Sequence, residues 1–323
     1  MPVRSPLALG VDVGQSGTRA RVVDAGGCIV VERAGPGLAP GTEPVAGSLQ
    51  FVGEIVSAAA DHGAVESIAL GVTGTNGRVP AIDPDVLAAA RGFGARRMLV
   101  ADDSYTSYVG AVGLSGEPAA VVAAGTGVVV LATNARDCWS KVDGWGPQIG
   151  DLGSGSWIGR QGLVSAMQAF DGRGGSQMLL EALQRLHGDV VDFAHATALG
   201  YMPNSVMASF AKEVAVAARA GDALSAELWR QAGEYLARAL LAAYQQVAVG
   251  YSPPRVSGVG SLFAAGDLLF VPMMASLTSA DSRTEWLPPA GTSLDGAVSL
   301  ARRNDRHPSF EPLIRVSHLE EPP

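Results

Sequence analysis

Two adjacent acids, Asp102 and Asp103, end the apolar run MLVADD and are well placed to do chemistry. The sequence predicts a strand at Met98–Val100 that ends at Asp102, and a helix over Ser104–Leu114. A carboxylate at the carboxyl end of a strand faces the crevice where open α/β sheets bind ligands. It can accept the proton of a hydroxyl that attacks a phosphate. Aspartate also caps helices, so one acid of the pair can cap while the other catalyses.

Two turns rich in glycine and hydroxyl groups have the composition of phosphate-binding loops. They are Asp12–Thr18 (DVGQSGT) and Gly125–Gly127 (GTG). Glycines let successive N–H groups point at an anion, although a plain hairpin turn explains either segment alone. The turns occupy matching places in Leu7–Val31 and Ala119–Val142, which share a strand–turn–strand–turn–strand plan. This repetition predicts duplicated α/β lobes with a nucleotide held between them.

Asp12 and the segment Gly258–Ser261 (GVGS) are the further nucleotide-site candidates. Asp12 ends a predicted strand, where its carboxylate can hold Mg²⁺ through water. Gly258, Gly260 and Ser261 follow another predicted strand and can let an adenine ring lie on bare backbone. Glycine pairs are common after strands, so this second signal is weak by itself.

The segment Gly144–Gly159 (GWGPQIGDLGSGSWIG) contains six glycines, two tryptophans and one acid. Its glycine content argues against a stable helix or strand, and it is interpreted as a loop before a helix that starts at Gln161. Backbone can approach a ligand here, Trp145 offers an apolar surface, and Asp151 offers an acceptor. Trp157 is expected to pack in the core.

Strands alternate with helices in the first half of the chain, which indicates a sheet with parallel members. The second half is more helical, and a final helix is expected at Ser293–Arg303, followed by a loose surface tail from Asn304. The further predicted elements are helices at Val52–Ala60, Asp85–Gly92, Ser176–Leu186, Ser205–Arg219 and Ala223–Ala248, and strands at Ser67–Val72, Val256–Val259 and Leu268–Val271.

Composition narrows the possible partners and location. The net charge is −8 without a basic tract of five residues, so nucleic acid and anionic membranes are poor candidates. The two cysteines, Cys28 and Cys138, form no CxxC pair, which fits a cytoplasmic protein. The uncharged stretch Pro118–Ala135 is interrupted by Gly-Thr-Gly and is interpreted as two strands rather than a membrane span. The five histidines lie outside the glycine-rich loops, so a histidine base is not favoured.

Taken in order, these segments resemble the actin/Hsp70/hexokinase superfamily, and within it the group of N-acetylglucosamine kinases and BadF/BadG-type ATPases. The matching motifs are GVDVGQSGTRARVVD, VADDSYTSYVGA, VVAAGTGVVVLA and VSGVGSLF. The second is similar to the family's V-x-N-D-A-x-x-A-x-x-G-A, and the glycine-rich loop to its G-G-W-G-x-x-x-G-D-E-G-S. The resemblance implies an α/β fold of two duplicated ribonuclease H-like lobes with an interlobe cleft.

The resemblance also implies roles for individual residues. Asp102 is taken as the general base, with Asp103 at a place where the family usually has Ala. Asp12 is assigned to Mg²⁺. The nucleotide-binding residues implied for ATP are Gly14, Gln15, Ser16, Gly17, Thr18, Gly125, Thr126, Gly127, Gly258, Gly260 and Ser261. The residues implied for the sugar are Asp103, Thr73, Gly74, Trp145, Gly146 and Asp151.

The implied activity is ATP-dependent phosphorylation of an amino sugar, with glucosamine as the expected acceptor at its 6-hydroxyl. An extra acid at Asp103, and Val128-Val129 in place of a frequent Ser-Asn, favour a free amine. Leu152, in place of the Glu in G-D-E-G-S, favours N-acetylglucosamine, which stays the alternative. A non-catalytic nucleotide-switch ATPase of the same fold is a third interpretation.

The expected domains are residues 1–116, joined by a C-terminal helix within 293–323, and residues 117–292. Apolar helix faces in the second domain are compatible with a homodimer, but a buried core explains them better.

Overall fold

A computed structural model describes residues 6–14, 17–39, 41–114, 117–134, 136–199, 203–248, 252–303 and 310–319. By their contacts, the residues fall into two units. The first comprises residues 1–121, 131–140 and 287–323, and the second comprises residues 122–130 and 141–286. The architecture is α/β with two sheets, as expected from the alternation of strands and helices.

The first sheet has six strands in the order β11-β5-β4-β1-β2-β3. Its strands are β1 Leu7–Val13, β2 Thr18–Val23, β3 Ile29–Gly35, β4 Val65–Val72, β5 Arg97–Asp102 and β11 Ile314–His318. Strands β1, β4 and β5 run parallel, whereas β2 is antiparallel to both β1 and β3. The carboxyl ends of β1, β4 and β5 therefore lie at one edge of the sheet, which is where Asp12, Thr73 and Asp102 occur.

Helices α1 Pro44–Ala59, α2 Pro84–Gly92, α3 Asp103–Val112 and α10 Ser293–Arg302 complete the first unit. Strand β1 is almost wholly buried, and Leu9, Val11 and Val13 are inaccessible to solvent. These side chains form part of the core that packs α1 and α2 against the sheet.

Helices α3 and α10 approach each other so closely that their contact requires glycine. A Cβ on Gly110 would lie 1.9 Å from the carbonyl oxygen of Thr292, and one on Gly296 would lie 1.9 Å from that of Thr106. A Cβ on Gly10 of β1 would lie 2.4 Å from the backbone nitrogen of Val298. Backbone-to-backbone packing of this kind holds α10 closely against both α3 and β1.

The second sheet has the order β10-β9-β6-β7-β8. Its strands are β6 Ala119–Ala124, β7 Val128–Thr133, β8 Trp139–Asp143, β9 Arg255–Val259 and β10 Glu285–Trp286. The helices of the second unit are α4 Gly155–Phe170, α5 Gln177–His187, α6 Val190–Leu199, α7 Asn204–Arg219, α8 Ala223–Val247 and α9 Asp267–Ala280, with a 3-10 helix at Ser261–Ala265. The strands predicted in both meanders are confirmed.

Helix α1 begins at Pro44, eight residues before the predicted Val52. Three further predictions about the elements are wrong. The run Leu268–Val271 is not a strand but lies in α9, because a short apolar run does not distinguish a strand from a buried helix. Helix α4 starts at Gly155 rather than Gln161, since Ser154 caps it and accepts a hydrogen bond from the Trp157 N–H at 3.2 Å.

The third error concerns the tail, whose described residues, 310–319, are not loose. The C-terminal helix ends at Arg302, and strand β11 then pairs antiparallel with β5. Phe310 and Leu313 are fully buried, and the Asp102 N–H donates to the Leu313 carbonyl oxygen at 2.9 Å. The tail therefore forms an edge of the first sheet and contacts the end of β5. Helix α6 and strand β10 were not predicted.

Within the described ranges, no helix combines the length and the apolar character that crossing a membrane requires.

Candidate active site

Asp102 is the last residue of β5, and each of its carboxylate oxygens accepts two hydrogen bonds. Oδ1 accepts from the Ser104 N–H at 3.0 Å and from the Ser104 hydroxyl. Oδ2 accepts from the Gly77 N–H at 2.8 Å and from the Thr75 hydroxyl. These four bonds use the acceptor capacity of an ionised carboxylate, and the side chain is only 2% exposed. Asp102 therefore caps α3 and fastens the turn after β4.

Asp103, the first residue of α3, is partly exposed and has a strongly shifted pKa. Burial, and next the charge of Asp102, raise its pKa to about 7. A hydrogen bond with the Thr73 side chain opposes the shift, and the charge of Asp12 adds to it. A carboxylate with a pKa near neutrality has the proton affinity that a general base needs.

Asp12 lies at the end of β1 in a chain of polar contacts. Its Oδ1 accepts from the Ser293 hydroxyl at 2.9 Å, and its Oδ2 lies 2.7 Å from Nη2 of Arg19. The Ser293 and Thr106 hydroxyl oxygens are 2.7 Å apart. The Asp12 side chain is 15% exposed, so a hard oxygen ligand is accessible at this strand end. Mg²⁺ is commonly held by one or two carboxylates together with substrate phosphates, and Asp12 fits that chemistry.

The first glycine-rich turn is closed by the Gly14 N–H, which donates to the Gly17 carbonyl oxygen at 3.1 Å. Thr18 is buried at the start of β2. Two residues predicted to bind phosphate, Gln15 and Ser16, lie outside the described residues. Gly74, predicted for the sugar, has φ +82° and open space where a Cβ would be.

The second turn is fixed to the N-terminus of α4. The Gly125 N–H donates to the Gly127 carbonyl oxygen at 2.9 Å. The carbonyl oxygens of Gly125 and Thr126 accept from the N–H groups of Gly155 and Ser156 at 2.8 and 3.0 Å. The start of α4 thus stabilises the shape of the predicted phosphate turn. The sequence did not predict this role, because the glycine content of Gly144–Gly159 indicated a loop.

The segment Gly258–Ser261 lies beside this turn. Gly260 has φ +108°, and a Cβ there would lie 2.2 Å from the carbonyl oxygen of Ala124. A Cβ on Gly258 would lie 2.2 Å from the ring of Phe263. Both glycines are required by packing, and their contact with adenine stays a prediction.

Asp151 joins the glycine-rich loop to the second turn. It is 7% exposed, has φ +56°, and accepts hydrogen bonds from the backbone N–H groups of Val128 and Gly146. A Cβ on Gly127 would lie 2.9 Å from its Oδ2. Burial is the largest cause of its raised pKa. Its carboxylate braces the loop, and its contact with a sugar hydroxyl stays a prediction.

The apolar residues of the loop differ in exposure. Trp145 is 57% exposed, with Nζ of Lys141 4.5 Å from its ring centroid, and Leu152 is 42% exposed. Trp157 is buried and packs edge-on to Tyr235 at 5.3 Å, as expected of a core residue.

Asp143, the last residue of β8, was not predicted to take part. It accepts hydrogen bonds from the N–H groups of Gly144, Asp151 and Leu152 at 2.8, 2.7 and 3.1 Å. The sequence signal that could have identified Asp143 was an aspartate directly before a glycine at the end of a predicted strand. The short side chain of aspartate favours hydrogen bonds with nearby backbone N–H groups.

The structure thus brings predicted residues together in two groups. Asp12, Thr73 and Asp103 lie at the strand ends of the first unit, beside Asp102. In the second unit, the turn Gly125–Gly127 lies beside Asp151 and Ser261. Among the described residues, no group of three or more histidine, cysteine, aspartate or glutamate side chains is arranged to hold a metal. The Mg²⁺ assignment therefore depends on Asp12 acting with phosphates.

Known proteins of similar sequence and structure support a kinase-type fold. A provisionally assigned N-acetylglucosamine kinase from Chromobacterium violaceum superposes with a TM-score of 0.71 at 29% identity, covering 92% of this chain and 99% of that one. A ROK family glucokinase from Streptomyces griseus, solved with glucose and AMPPNP, superposes with a TM-score of 0.58 at 19% identity, covering 92% and 99%. The latter likeness concerns the fold alone.

A curated relative is the N-acetylmuramic acid/N-acetylglucosamine kinase of Clostridium acetobutylicum. It is 28% identical over 149 residues, which are 43% of this chain and 46% of the relative. The chain therefore matches less than half the length of that protein.

The α/β architecture and these superpositions define a fold of the actin/Hsp70/hexokinase type. Residues 9–277 match the BadF/BadG/BcrA/BcrD ATPase family, and the chain belongs to that family.

Proposed function

We propose that this protein is an ATP-dependent amino-sugar kinase that phosphorylates the 6-hydroxyl of glucosamine and releases ADP. The observation that carries the proposal is Asp103, a partly exposed carboxylate at the start of α3 with a pKa of about 7. A nucleotide switch has no need of a proton acceptor poised in this way, whereas a kinase acting on a hydroxyl does.

Asp103, rather than Asp102, is the proposed general base. It takes the proton from the sugar hydroxyl as that oxygen attacks the γ-phosphate. Asp102 cannot easily take this role, because each of its oxygens already accepts two hydrogen bonds. Instead, Asp102 positions the start of α3, and its charge raises the pKa of Asp103.

The motif that suggested Asp102 supports this reassignment when it is aligned position by position. Val100 of VADDSYTSYVGA then falls on the first position of V-x-N-D-A-x-x-A-x-x-G-A. Asp103 falls on the aspartate and Asp102 on the asparagine. The departures from the pattern are then an acid at Asp102 and hydroxyls at Ser104 and Ser107.

Asp12 is the proposed Mg²⁺ ligand, acting directly or through water. Bound there, Mg²⁺ would neutralise charge that develops on the transferred phosphoryl group. Asp12→Ala should raise the Mg²⁺ concentration needed for half-maximal turnover, measured at saturating ATP and sugar. Arg19→Ala is the matched variant, because it removes the ion-pair partner of Asp12 and leaves the carboxylate. An unchanged Mg²⁺ requirement in Asp12→Ala would exclude the ligand role.

Glucosamine is proposed as the acceptor because its partly cationic amine suits a pocket with added negative charge. The acid at Asp102 supplies that charge, and Val129 provides no amide partner for an N-acetyl group. N-acetylglucosamine is the second candidate, since two relatives carry that sugar in their names. Leu152, in place of the Glu of G-D-E-G-S, also favours this second candidate.

The test is an ADP-release assay with glucosamine, N-acetylglucosamine, glucose and N-acetylmuramic acid, each with and without protein. Phosphorus NMR of the product then gives the position of the new phosphate. We expect the highest kcat/KM with glucosamine and a phosphate on its 6-oxygen. A higher value with N-acetylglucosamine would replace glucosamine as the acceptor. ATP hydrolysis unaffected by all four sugars would favour the nucleotide switch.

A further inference from the structure

The loop between β8 and α4, residues 144–152, lacks the support that a helix or strand would give it. It carries Trp145, Gly146 and Asp151, which the sequence predicts for the sugar site. Three of its N–H groups instead donate to a single side chain, that of Asp143. The loop therefore depends on one carboxylate for much of its shape.

The contacts of Asp143 fasten both ends of this loop. Oδ1 accepts from the Gly144 N–H at 2.8 Å, where the loop begins, and from the Asp151 N–H at 2.7 Å, where it ends. Oδ2 accepts from the Leu152 N–H at 3.1 Å. A hydrogen bond from the Gly150 N–H to the Gly146 carbonyl oxygen, at 2.8 Å, closes the segment between these ends.

Two residues near the Asp143 carboxylate, Lys141 and Gly150, help to shape the loop around it. Lys141 donates from Nζ to the Asp143 carbonyl oxygen at 2.9 Å, and the same ammonium group lies over the Trp145 ring. A Cβ on Gly150 would lie 2.5 Å from Oδ1 of Asp143 and 2.9 Å from Cβ of Trp145. Only glycine leaves room for the carboxylate inside the loop.

The backbone at Asp143 shows that its side chain carries a specific role. Its φ is +62°, a conformation that glycine adopts freely and that aspartate adopts at a cost. The similar family motif begins G-G-W-G, so Asp143 stands where that pattern has glycine. Here the side chain accepts three hydrogen bonds, which offset the cost of the positive φ.

We propose that Asp143 is a positioning residue for substrate binding, which holds Trp145 and Asp151 in place through the backbone of residues 144–152. The proposal rests on the proposed sugar kinase function and deepens it. Asp143 itself need not touch the sugar. Its carboxylate acts through the loop that carries the predicted sugar-binding residues.

Asp143→Gly is the sharpest test, because glycine retains the φ of +62° without strain and removes only the acceptors. We expect the KM for the sugar to rise about 10-fold, while the KM for ATP changes less than about twofold. Asp143→Asn keeps an acceptor oxygen for Gly144 and Asp151 and should show a smaller rise. Asp24→Gly is the matched control, since it removes a turn carboxylate that accepts from the Cys28 N–H at 2.9 Å.

Amide hydrogen exchange gives a readout that does not require turnover. In Asp143→Gly, exchange should become at least about 10-fold faster for residues 144–152 and stay unchanged in β6 and β7. Unchanged exchange of the loop would overturn the proposal, whether or not any sugar is phosphorylated. Faster exchange with an unchanged sugar KM would overturn the role in substrate binding. If exchange is faster in Asp143→Gly but the wild-type protein phosphorylates no sugar, the result would support the role of the Asp143 carboxylate in holding the loop and would refute the kinase function.

Discussion

Replacing Asp103 by Asn should strongly reduce turnover and, at the same time, stabilise the fold. The substitution keeps the size of the side chain and removes its proton affinity. General-base catalysis contributes about 10²–10⁴-fold, so kcat should fall by a factor in that range while the KM for the sugar changes little. In the wild type, kcat/KM should decline as the pH falls below about 7, because the base becomes protonated.

The effect on stability follows from the same pKa. In the folded state the pKa of Asp103 is raised to about 7 from its ordinary value of 3.8, so the folded protein binds more protons between these values. The free energy of unfolding should therefore fall as the pH rises through this window, and the loss is complete above pH 7. Its upper limit is about 4 kcal/mol, from about 1.4 kcal/mol for each pKa unit. Asp103→Asn removes this loss.

Asp102→Asn is the matched variant, and its stability should change in the opposite direction. An amide cannot accept all four hydrogen bonds, and its NH₂ group would face two donors. We expect a loss of about 2–4 kcal/mol. Removing the charge of Asp102 should also shift the acid limb of kcat/KM to lower pH, because that charge raises the pKa of Asp103.

The assays are ADP release between pH 5 and 9 and urea unfolding at pH 4 and pH 8 for the wild type and both variants. At pH 8, Asp103→Asn should unfold at higher urea than the wild type, with little difference at pH 4. Near-normal turnover in Asp103→Asn would refute the base assignment. Equal stability of Asp103→Asn and the wild type at pH 8 would refute the raised pKa.

Three further variants test the packing and the sugar preference. Gly110→Ala places a Cβ 1.9 Å from a carbonyl oxygen and should cost at least about 3 kcal/mol in urea unfolding, whereas Gly92→Ala meets open space and should be neutral or slightly stabilising. Equal effects would refute the close helix contact. Phe310→Ala should cost about 3–5 kcal/mol by the same measurement. Val316, which is 41% exposed, is the control, and Val316→Ala should cost less than about 1 kcal/mol. A neutral Phe310→Ala would mean that the tail does not pack against the first unit. Leu152→Glu should raise the kcat/KM of glucosamine relative to that of N-acetylglucosamine about 10-fold. An unchanged ratio would show that Leu152 does not determine the sugar preference.

Local patterns predicted the elements that repeat or that carry strong periodicity. The strands of both meanders and the long helix α8 follow from alternating or helical spacing of apolar residues. The run Leu268–Val271 failed because four apolar residues fit either a strand or a turn of α9. The tail failed because its prolines and charges indicate a loop, whereas its burial depends on β5, about 200 residues earlier in the chain.

Candidate site residues were found where glycine, hydroxyl groups and acids cluster at strand ends. Asp143 was missed because its three donors come from a loop whose fold the sequence does not specify. The close contact of Gly110 with α10 was equally invisible, since a glycine required by a distant helix resembles any other helical glycine.

The sequence by itself determined that this protein has paired acids at a strand end, two phosphate-type turns and the motif order of its family. It left open which acid of the pair reacts. The proposal of Asp103 depends on the tertiary structure, because the donors that bond to Oδ2 of Asp102 belong to Thr75 and Gly77, 27 and 25 residues earlier. Asp103 is left beside that charge, partly exposed, with a pKa of about 7. A carboxylate's proton affinity depends on the groups around it in space, and adjacent residues in a sequence can have different surroundings.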